Sequence, residues 1–415
     1  MTGITQCEVL APKGKNGVAG VYCNGESRLA ASLITNIVEL RQKSAFFASA
    51  WWARNTHVNT IGGHLLRTSH GHPGPGYDRT FISTEDGGTL SLDVSHVDEK
   101  RESKDGEPFV LMVAGLGGSS TDPYTKAMAA ACTNKGWRSA VLCMRGTGDG
   151  PVTSARLFSA RRGSTDDVRH AITHLRESGH VKEGTPIVGV GWSLGGCIMS
   201  NTVLEQSERR LPAAQRVSAA AILGAPFDLK DSAVTLQRFP NNFYDTRMGK
   251  GLLTFGLPLL AKFGTRFKNY VGDVLEVDEA KLRGCRRVKD FDEHLTAPFF
   301  GHASADAYYE YASTTSRWSS VGPDCPALII SALDDPIVGK KGIPFEAARK
   351  DPNMMVVATD HGGHLGWVES RRAGCGYAIE LDKATWTERV VLSFFETALE
   401  HAKTAPAPKG SASAV

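Results

Sequence analysis

The chain contains 415 residues, of which 41% are hydrophobic and 22% are charged, proportions that are typical of a soluble globular protein. The formal net charge is only +3 and no long basic run occurs, so the composition argues against a nucleic-acid-binding protein. Eight scattered cysteines without a C-x-x-C pair favour a reducing compartment over a disulfide framework.

The N-terminus and the apolar stretches bear on cellular location. The first residues, MTGITQCEVLAPKGKNG, lack the basic-then-apolar pattern of a signal peptide. The longest apolar stretches, 44–53 and 252–261, are about half as long as a bilayer span requires. We therefore predict a cytoplasmic protein and leave peripheral contact with a membrane surface open.

The first part of the chain predicts an extension followed by a hairpin. Residues 1–50 form the N-terminal extension, which is loosely ordered over 1–27 and carries apolar residues at helical spacing over 28–42. Two runs of alternating apolar and polar residues follow at 77–84 and 89–97. A Glu-Asp-Gly-Gly turn separates these runs, and the pattern predicts a β-hairpin.

From residue 109 onward, apolar runs and helical stretches alternate. Continuous apolar runs, of the kind found in parallel strands that are covered on both faces, lie at 109–115, 139–144, 186–191, 219–225, 327–332 and 353–359. Helical stretches lie at 122–136, 164–179, 194–207 and 385–402. The alternation predicts an α/β fold with a doubly wound, mostly parallel sheet.

Residues 229–320 interrupt this alternation. They contain Pro, Asn and aromatic clusters and the apolar segment 251–264, with no obvious strand. Such an insertion predicts a cap, or lid, over the C-terminal edge of the sheet, where open α/β sheets bind ligands. The core then consists of 51–228 and 321–402, and the composition of 403–415 is that of a disordered tail.

The strongest chemical signal is the hexapeptide GWSLGG at 191–196, which lies between a predicted strand and a predicted helix. A G-x-S-x-G elbow needs this context, because its glycines permit a sharp turn that exposes the serine at the N-terminus of a helix. The motif alone is weak, and a serine that merely caps a helix is the alternative. Its placement makes Ser193 the predicted nucleophile.

A nucleophilic serine needs a base and an acid that orients the base, and in this fold the chain order is serine, acid, histidine. Asp334 and Asp335 follow one late predicted strand, and His361 and His364 follow the next. We predict His364 as the base, because neighbouring glycines let its loop approach the serine closely. We prefer Asp335 as the acid, because the proline after it fixes the turn.

An oxyanion hole requires two backbone N–H donors. We predict that one comes from Leu194, directly after the serine, and the other from Leu116 in the glycine-rich loop 114–120. The glycine-rich segment 145–151 lacks the third glycine of a dinucleotide fingerprint, and we interpret it as a tight turn. The histidines and cysteines show no spacing typical of zinc, so we predict neither a metal nor a cofactor.

Seven motifs together resemble the α/β-hydrolase family of bacterial YheT, plant embryogenesis-associated proteins and animal ABHD proteins: AGLGGSS, MRGTGDGPVTSARLFSA, GWSLGG, DDPIV, GGHLGWVE, NTHVNTI and FDEHLTAPFFGHASADAYYEYAS. The resemblance extends over about residues 50–400 and implies a triad of Ser193, Asp335 and His364. It also implies an esterase or lipase, since members of the family are such enzymes and some fungal relatives transfer acyl groups to alcohols. One departure is Ala114, where the family usually has histidine.

Ester hydrolysis through an acyl-serine is the leading functional hypothesis, with a small acyl ester or lipid as substrate. The same residues also suit an acyltransferase with an alcohol or thiol acceptor, and a pseudohydrolase that only binds a ligand is the third hypothesis. In the cap, we predict that Leu253, Leu259 and Phe263 line an acyl tunnel. The alternative is that this segment is a core-packing helix broken at Pro258.

Overall fold

The computed structural model describes residues 19–42, 46–69, 74–96, 106–369, 371–373, 376–378 and 384–404. The strands are β1 (Gly20–Cys23), β2 (Tyr77–Ser83), β3 (Thr89–Ser95), β4 (Phe109–Val113), β5 (Arg138–Cys143), β6 (Ile187–Trp192), β7 (Ala219–Leu223), β8 (Arg266–Lys268), β9 (Val274–Glu276), β10 (Ala327–Ala332), β11 (Met354–Thr359), β12 (Arg371–Ala373) and β13 (Gly376–Ala378).

The α-helices are α1 (Arg28–Asn36), α2 (Val38–Arg41), α3 (Thr56–Ser69), α4 (Pro123–Lys135), α5 (Ser164–Glu177), α6 (Leu194–Arg209), α7 (Leu229–Gln237), α8 (Asn242–Phe263), α9 (Glu279–Gly284), α10 (Val288–Phe291), α11 (Ala297–Phe299), α12 (Ala305–Ala312), α13 (Thr315–Ser320), α14 (Phe345–Lys350) and α15 (Trp386–Thr404). A π-helical turn, Asp292–Thr296, joins α10 to α11. In the described part of the chain, no helix is both long enough and apolar enough to span a membrane.

Among the described residues, nine strands form one sheet in the order β1-β11-β10-β7-β6-β4-β5-β3-β2. The central strands from β11 to β5 are parallel to their neighbours. Antiparallel pairing occurs at both edges, where β1 joins β11 and the hairpin β2–β3 joins β5. The predicted α/β fold with a doubly wound, mostly parallel sheet is thereby confirmed.

Strand β4 shows why the central strands are apolar throughout. Phe109, Leu111 and Val113 point to one face of the sheet and pack with residues of α5 and α6. Val110 and Met112 point to the other face and pack with residues of α4 and α15. Because side chains alternate along a strand, helices on both faces require apolar residues at every position of β4.

The segment between β7 and β10 contains helices α7 to α13 and adds no strand to the nine-stranded sheet. We propose the predicted limits 229–320 for a cap on this basis. The sequence indicated no strand there, whereas β8 and β9 form a short antiparallel hairpin. Cap residues Leu252, Leu259 and Phe291 belong to the same apolar cluster as the core strands, so the cap and the core are packed together.

The N-terminal extension is more structured than its composition indicated. Strand β1 lies within the segment predicted to be loosely ordered and pairs with β11. The predicted helix over 28–42 is divided into α1 and α2. Residues 1–18 lie outside the described part of the chain, as does the predicted tail beyond Thr404.

Candidate active site

Ser193 lies at the elbow between β6 and α6, with the uncommon backbone angles φ 52° and ψ −122°. The turn brings the neighbouring backbone segments into direct contact. A Cβ at Gly191 would lie 2.3 Å from the Gly195 carbonyl oxygen, and a Cβ at Gly195 would lie 2.2 Å from the Val113 carbonyl oxygen. Only glycine therefore fits on either side of Ser193 in this geometry.

A continuous hydrogen-bonded chain joins the three residues that the sequence singled out. The Oγ of Ser193 lies 2.9 Å from Nε2 of His364, and Nδ1 of the same ring lies 2.8 Å from Oδ2 of Asp335. The side chains of His364 and Asp335 are only 11% and 2% exposed. The structure thus brings Ser193, Asp335 and His364 together in the order that a nucleophile, a base and an orienting acid require.

The carboxylate of Asp335 is fixed on its other side. Its Oδ1 accepts hydrogen bonds from the backbone N–H groups of Ile337, at 2.8 Å, and Val338, at 3.0 Å. These two bonds leave Oδ2 directed at His364. The turn that contains Pro336 therefore orients the acid.

The adjacent Asp334 has a different set of partners. Its Oδ1 accepts a hydrogen bond of 2.9 Å from the N–H of Gly363, and its Oδ2 lies 3.5 Å from Nδ1 of His361. Burial raises the pKa of the Asp334 carboxyl above its usual range. Asp334 thus binds the backbone of the histidine loop, whereas Asp335 binds the His364 ring.

Helix α3 holds the histidine loop from the opposite side, and the sequence did not single out any of its residues for this role. The hydroxyl of Thr60 accepts a hydrogen bond of 2.9 Å from the His364 N–H and donates one of 2.8 Å to the Thr56 carbonyl. Gly63 packs so closely on Gly366 that a Cβ would lie 2.7 Å from the Gly366 Cα. The only sequence signal for α3 is the NTHVNTI motif.

The glycine-rich loop after β4 lies against Ser193. An added Cβ at Gly115 would be 3.3 Å from the Ser193 Cβ, and Leu116 and Leu194 both line the cavity at Ser193. Leu194 is the first residue of α6, so its N–H has no acceptor in a preceding helical turn. The structure therefore brings both predicted oxyanion residues to the nucleophile, and their role as donors is a proposal.

A tyrosine fixes the start of this loop. The Tyr124 hydroxyl accepts a hydrogen bond of 2.9 Å from the Gly115 N–H and donates one of 3.2 Å to Oδ2 of Asp122, which also accepts one of 2.8 Å from the Ser119 N–H. Burial raises the pKa of the Tyr124 hydroxyl well above its usual range, so it stays protonated. The loop 115–119 is thus tied to the start of α4.

Segment 145–151 contacts the glycine-rich loop and helps to hold it in place. The Thr147 hydroxyl donates a hydrogen bond of 3.0 Å to the Gly118 carbonyl. Arg145, which is buried, pairs with Asp86 and Asp167 at 2.9 Å each. The segment is therefore a turn that supports the structure.

A small cavity of about 100 Å³ extends from Ser193 under the cap. Its apolar lining comes from the core and from cap helices, and includes Leu116, Leu157, Phe158, Leu236, Met248, Leu252, Phe291, Ile337 and Val338. A sphere of the size of a water molecule needs about 10–15 Å³ of such a cavity, so the cavity has space for roughly seven to ten spheres of that size. Its size and lining suit a single unbranched acyl chain.

Two buried carboxyl groups give the cavity a polar part. Asp292, in the π-helical turn, accepts a hydrogen bond of 2.7 Å from the Tyr309 hydroxyl, and burial raises its pKa to about 6. Asp245, on α8, accepts one of 2.9 Å from the Val288 N–H, and burial also raises its pKa. Both groups therefore bind protons more readily than exposed carboxylates do.

Three cap residues that the sequence assigned to an acyl tunnel do not line this cavity. From α8 the cavity is lined by Asp245, Met248 and Leu252, at spacings of three and four residues. Leu253 is turned by about 100° from Leu252, while Leu259 and Phe263 lie about two and three turns further along the helix. Leu259 instead belongs to the fully buried core, and Leu253 and Phe263 pack against that core.

A wider cleft of about 410 Å³ meets Ser193 and His364 from the other side. It lies between α3 and the glycine-rich loop, and its lining includes Ile61, Leu65, Leu116, Asp122, Tyr124 and Leu365. Ser193 is therefore accessible from two spaces of different size. Among the described residues, no group of three or more His, Cys, Asp or Glu side chains has the arrangement of a metal site.

Comparison with known proteins identifies the family. The family model described as the alpha/beta hydrolase fold matches residues 108–370, which include β4, the elbow and the histidine loop. The chain belongs to the α/β-hydrolase family. Within it, the chain falls with the ABHD and YheT proteins that its motifs resemble.

Three relatives show the extent of the similarity. Embryogenesis-associated protein EMB8 from Picea glauca is 32% identical over 82% of this chain and 70% of its own length. Monoacylglycerol lipase from Saccharomyces cerevisiae is 31% identical over 68% of this chain and 59% of its own length. Putative esterase YheT from Escherichia coli is 29% identical over 81% of this chain and 92% of its own length. The family and these names support hydrolase activity of the esterase or lipase class.

Proposed function

We propose that this protein is a serine hydrolase that cleaves carboxylic esters through a covalent acyl-Ser193 intermediate. The observation that carries the proposal is the hydrogen-bonded chain from Ser193 Oγ through His364 to Asp335. Such a chain increases the nucleophilicity of a serine hydroxyl, which is otherwise weak at neutral pH. The negative charge of Asp335 stabilises the imidazolium that forms when His364 accepts the serine proton.

The first half of the reaction forms the acyl-enzyme. As His364 Nε2 takes the proton from Ser193, Oγ attacks the ester carbonyl carbon, and the carbonyl oxygen becomes an oxyanion. The N–H groups of Leu116 and Leu194 stabilise that charge. When the tetrahedral intermediate collapses, the bond from the carbonyl carbon to the alkoxy oxygen breaks, and His364 returns the proton to the departing alcohol.

The second half regenerates the serine. A water molecule enters from the cleft, transfers a proton to His364 and attacks the acyl carbon. The second tetrahedral intermediate releases the carboxylic acid, and Ser193 Oγ recovers its proton from His364. One water is consumed for each ester cleaved, and no cofactor takes part.

The two spaces at Ser193 support a lipid-like substrate. The small cavity, whose lining is mostly apolar, suits the acyl chain, and the wider cleft suits the alcohol part of the ester. The names of two relatives, monoacylglycerol lipase from Saccharomyces cerevisiae and Phospholipase ABHD3 from Mus musculus, are consistent with such a substrate. We propose an acyl ester with a chain of medium length.

Acyl transfer to an alcohol is the second candidate. The cleft of about 410 Å³ that reaches Ser193 and His364 has room for an alcohol in place of the attacking water. A relative from Saccharomyces cerevisiae carries the name Medium-chain fatty acid ethyl ester synthase/esterase 2. Adding ethanol or glycerol to an ester assay separates the candidates, because a transferase produces a new ester and a hydrolase produces only the free acid.

Covalent labelling tests the proposed nucleophile. We expect a fluorophosphonate probe to label the protein and Ser193→Ala to abolish both labelling and ester hydrolysis, with a loss of about four to six orders of magnitude in rate. Ser207→Ala, near the C-terminal end of the same helix, is the matched control and should react like the unmodified protein. Persistent labelling of the Ser193→Ala variant would place the nucleophile elsewhere, and an unlabelled wild-type protein would favour a pseudohydrolase.

A further inference from the structure

Five apolar residues form a surface that the proposed reaction does not explain. We name them the apolar rim; their exposed fractions lie between 41% and 90%, and they are Val58, Ile61, Leu65, Phe239 and Phe243. Large apolar side chains exposed together on a globular protein usually mark a binding surface.

The first part of the rim is one face of α3. Val58, Ile61 and Leu65 are spaced by three and four residues, so their side chains lie on the same side of the helix. Ile61 and Leu65 also line the cleft that leads to Ser193. This part of the rim therefore borders the cleft.

The second part of the rim adjoins the first. Phe239 lies in the short connection between α7 and α8, and Phe243 lies in the first turn of α8. The ring of Phe243 packs edge-on against Tyr244, with 5.7 Å between the ring centroids. Tyr244 in turn stacks on His57, and its hydroxyl lies 3.0 Å from Nδ1 of that ring. Since His57 precedes Val58 in the chain, these contacts place the second part of the rim next to the first.

The two chain segments that carry the rim contain charged residues of almost one sign. Segments 51–69 and 233–263 together contain one acidic residue, Asp245, which is buried. They also carry five exposed cations that form no ion pair within the described part of the chain, namely Arg54, Arg238, Arg247, Lys250 and Lys262. An apolar surface flanked by cations, without exposed carboxylates, complements a surface that is apolar beneath and negatively charged above.

We propose that the apolar rim docks the protein on an anionic lipid surface, with the cations at the headgroups and the phenylalanines in the outer acyl region. Docking of this kind directs the cleft at the bilayer, so an ester enters it without passing through water. The proposal concerns binding alone and does not depend on the catalytic role of Ser193.

Co-sedimentation with vesicles tests the proposal. The protein is incubated with vesicles of phosphatidylcholine alone and with vesicles that also contain one fifth phosphatidylglycerol, and the bound fraction is measured at low and high salt. We expect binding to the anionic vesicles that weakens with salt. Replacing both phenylalanines (Phe239→Ser with Phe243→Ser) should weaken binding at least about tenfold, and Arg238→Gln with Arg247→Gln should weaken it by about fivefold per residue.

Matched controls separate docking from general effects. Phe81, on the edge strand β2, is also more than half exposed, and Lys182 is an exposed cation outside the two segments. Phe81→Ser and Lys182→Gln should leave vesicle binding unchanged, and the double phenylalanine variant should hydrolyse a soluble short ester at the wild-type rate. The proposal would be overturned if the wild-type protein did not bind the vesicles, or if the control variants lost binding equally. It would also be overturned if the wild-type protein were a dimer that the double phenylalanine substitution alone dissociated.

Discussion

Asp334 and Asp335 are consecutive in the chain, but their carboxylates contact different partners. Asp335 accepts two backbone N–H bonds through one oxygen and faces the His364 ring with the other. The carboxylate of Asp334 accepts a hydrogen bond from the Gly363 N–H through one oxygen and leaves its second oxygen near His361. The two residues therefore have distinguishable roles in the proposed site.

Amide substitutions at these two positions test that distinction. Asp335→Asn removes the negative charge that holds and stabilises the His364 imidazolium, so we expect kcat to fall by about a thousandfold or more. Asp334→Asn keeps an oxygen that accepts from Gly363 and should cost much less. Steady-state kinetics on a soluble ester, with thermal unfolding of both variants as the control for folding, gives the comparison. If Asp334→Asn lowered kcat more than Asp335→Asn did, Asp334 would be the acid that orients His364.

Sequence reasoning reached the proposed catalytic residues but missed those that support them. Ser193, Asp335 and His364 belong to motifs with a known chain order, so each was recognisable without a structure. Thr60 was not, because a lone threonine has no chemical signature and its partner, His364, is 304 residues away. Roles of this kind follow from tertiary contact alone.

At the scale of elements, the oxyanion loop depends on the start of α4. Tyr124 accepts the Gly115 N–H and donates to Asp122, and Asp122 accepts the Ser119 N–H. Both ends of the loop are therefore bound to the hydrogen-bonded pair of Tyr124 and Asp122. Since the loop carries Leu116, a shift of this anchor displaces a proposed oxyanion donor.

Removing the Tyr124 hydroxyl tests the anchor. In Tyr124→Phe the Gly115 N–H loses its acceptor, and a loop misplaced by about 1 Å can lower the rate up to a hundredfold. We expect kcat to fall by at least about tenfold while KM changes little, because the oxyanion forms after substrate binding. Tyr77→Phe is the control, since the buried Tyr77 hydroxyl has no partner within the described residues. Equal changes in the two variants, or a change in stability without a change in kcat, would contradict a positioning role.

The predictability of an element depended on the strength of its local pattern. The central strands were predicted because residues buried on both faces give continuous apolar runs. Helix α3 was missed because two consecutive glycines and several β-branched residues weaken its helical pattern. A glycine is needed at position 63 because the helix lies in close contact with Gly366 there. This tertiary contact cannot be recognised from the local sequence pattern.

At the scale of the whole molecule, the cap and the core form the small cavity together. Leu116, Leu157 and Phe158 come from the core, whereas Leu236, Met248 and Leu252 come from the cap. The sequence predicted an acyl site in the cap but assigned it to other residues of α8, because an apolar helix does not reveal which of its faces borders a space. The position of the cavity instead follows from which side chains of α7 and α8 pack over Ser193 and the core.

Filling this cavity tests its role in chain-length selection. Each buried methylene contributes at most about 0.8 kcal/mol, or roughly fourfold in kcat/KM, so activity should rise with acyl length until the cavity is full. Ala233 lies on α7 and lines the cavity, whereas the next residue, Val234, is half-exposed and does not. Ala233→Phe should therefore leave acetyl esters nearly unaffected and lower kcat/KM on eight-carbon esters by more than about tenfold. Val234→Phe, which places the same phenyl ring one residue away, should retain the wild-type dependence on chain length. If Ala233→Phe reduced activity equally on short and long esters, the cavity would have no part in binding the acyl chain, and the proposal of a lipid-like ester would lose the structural feature that supports it most directly.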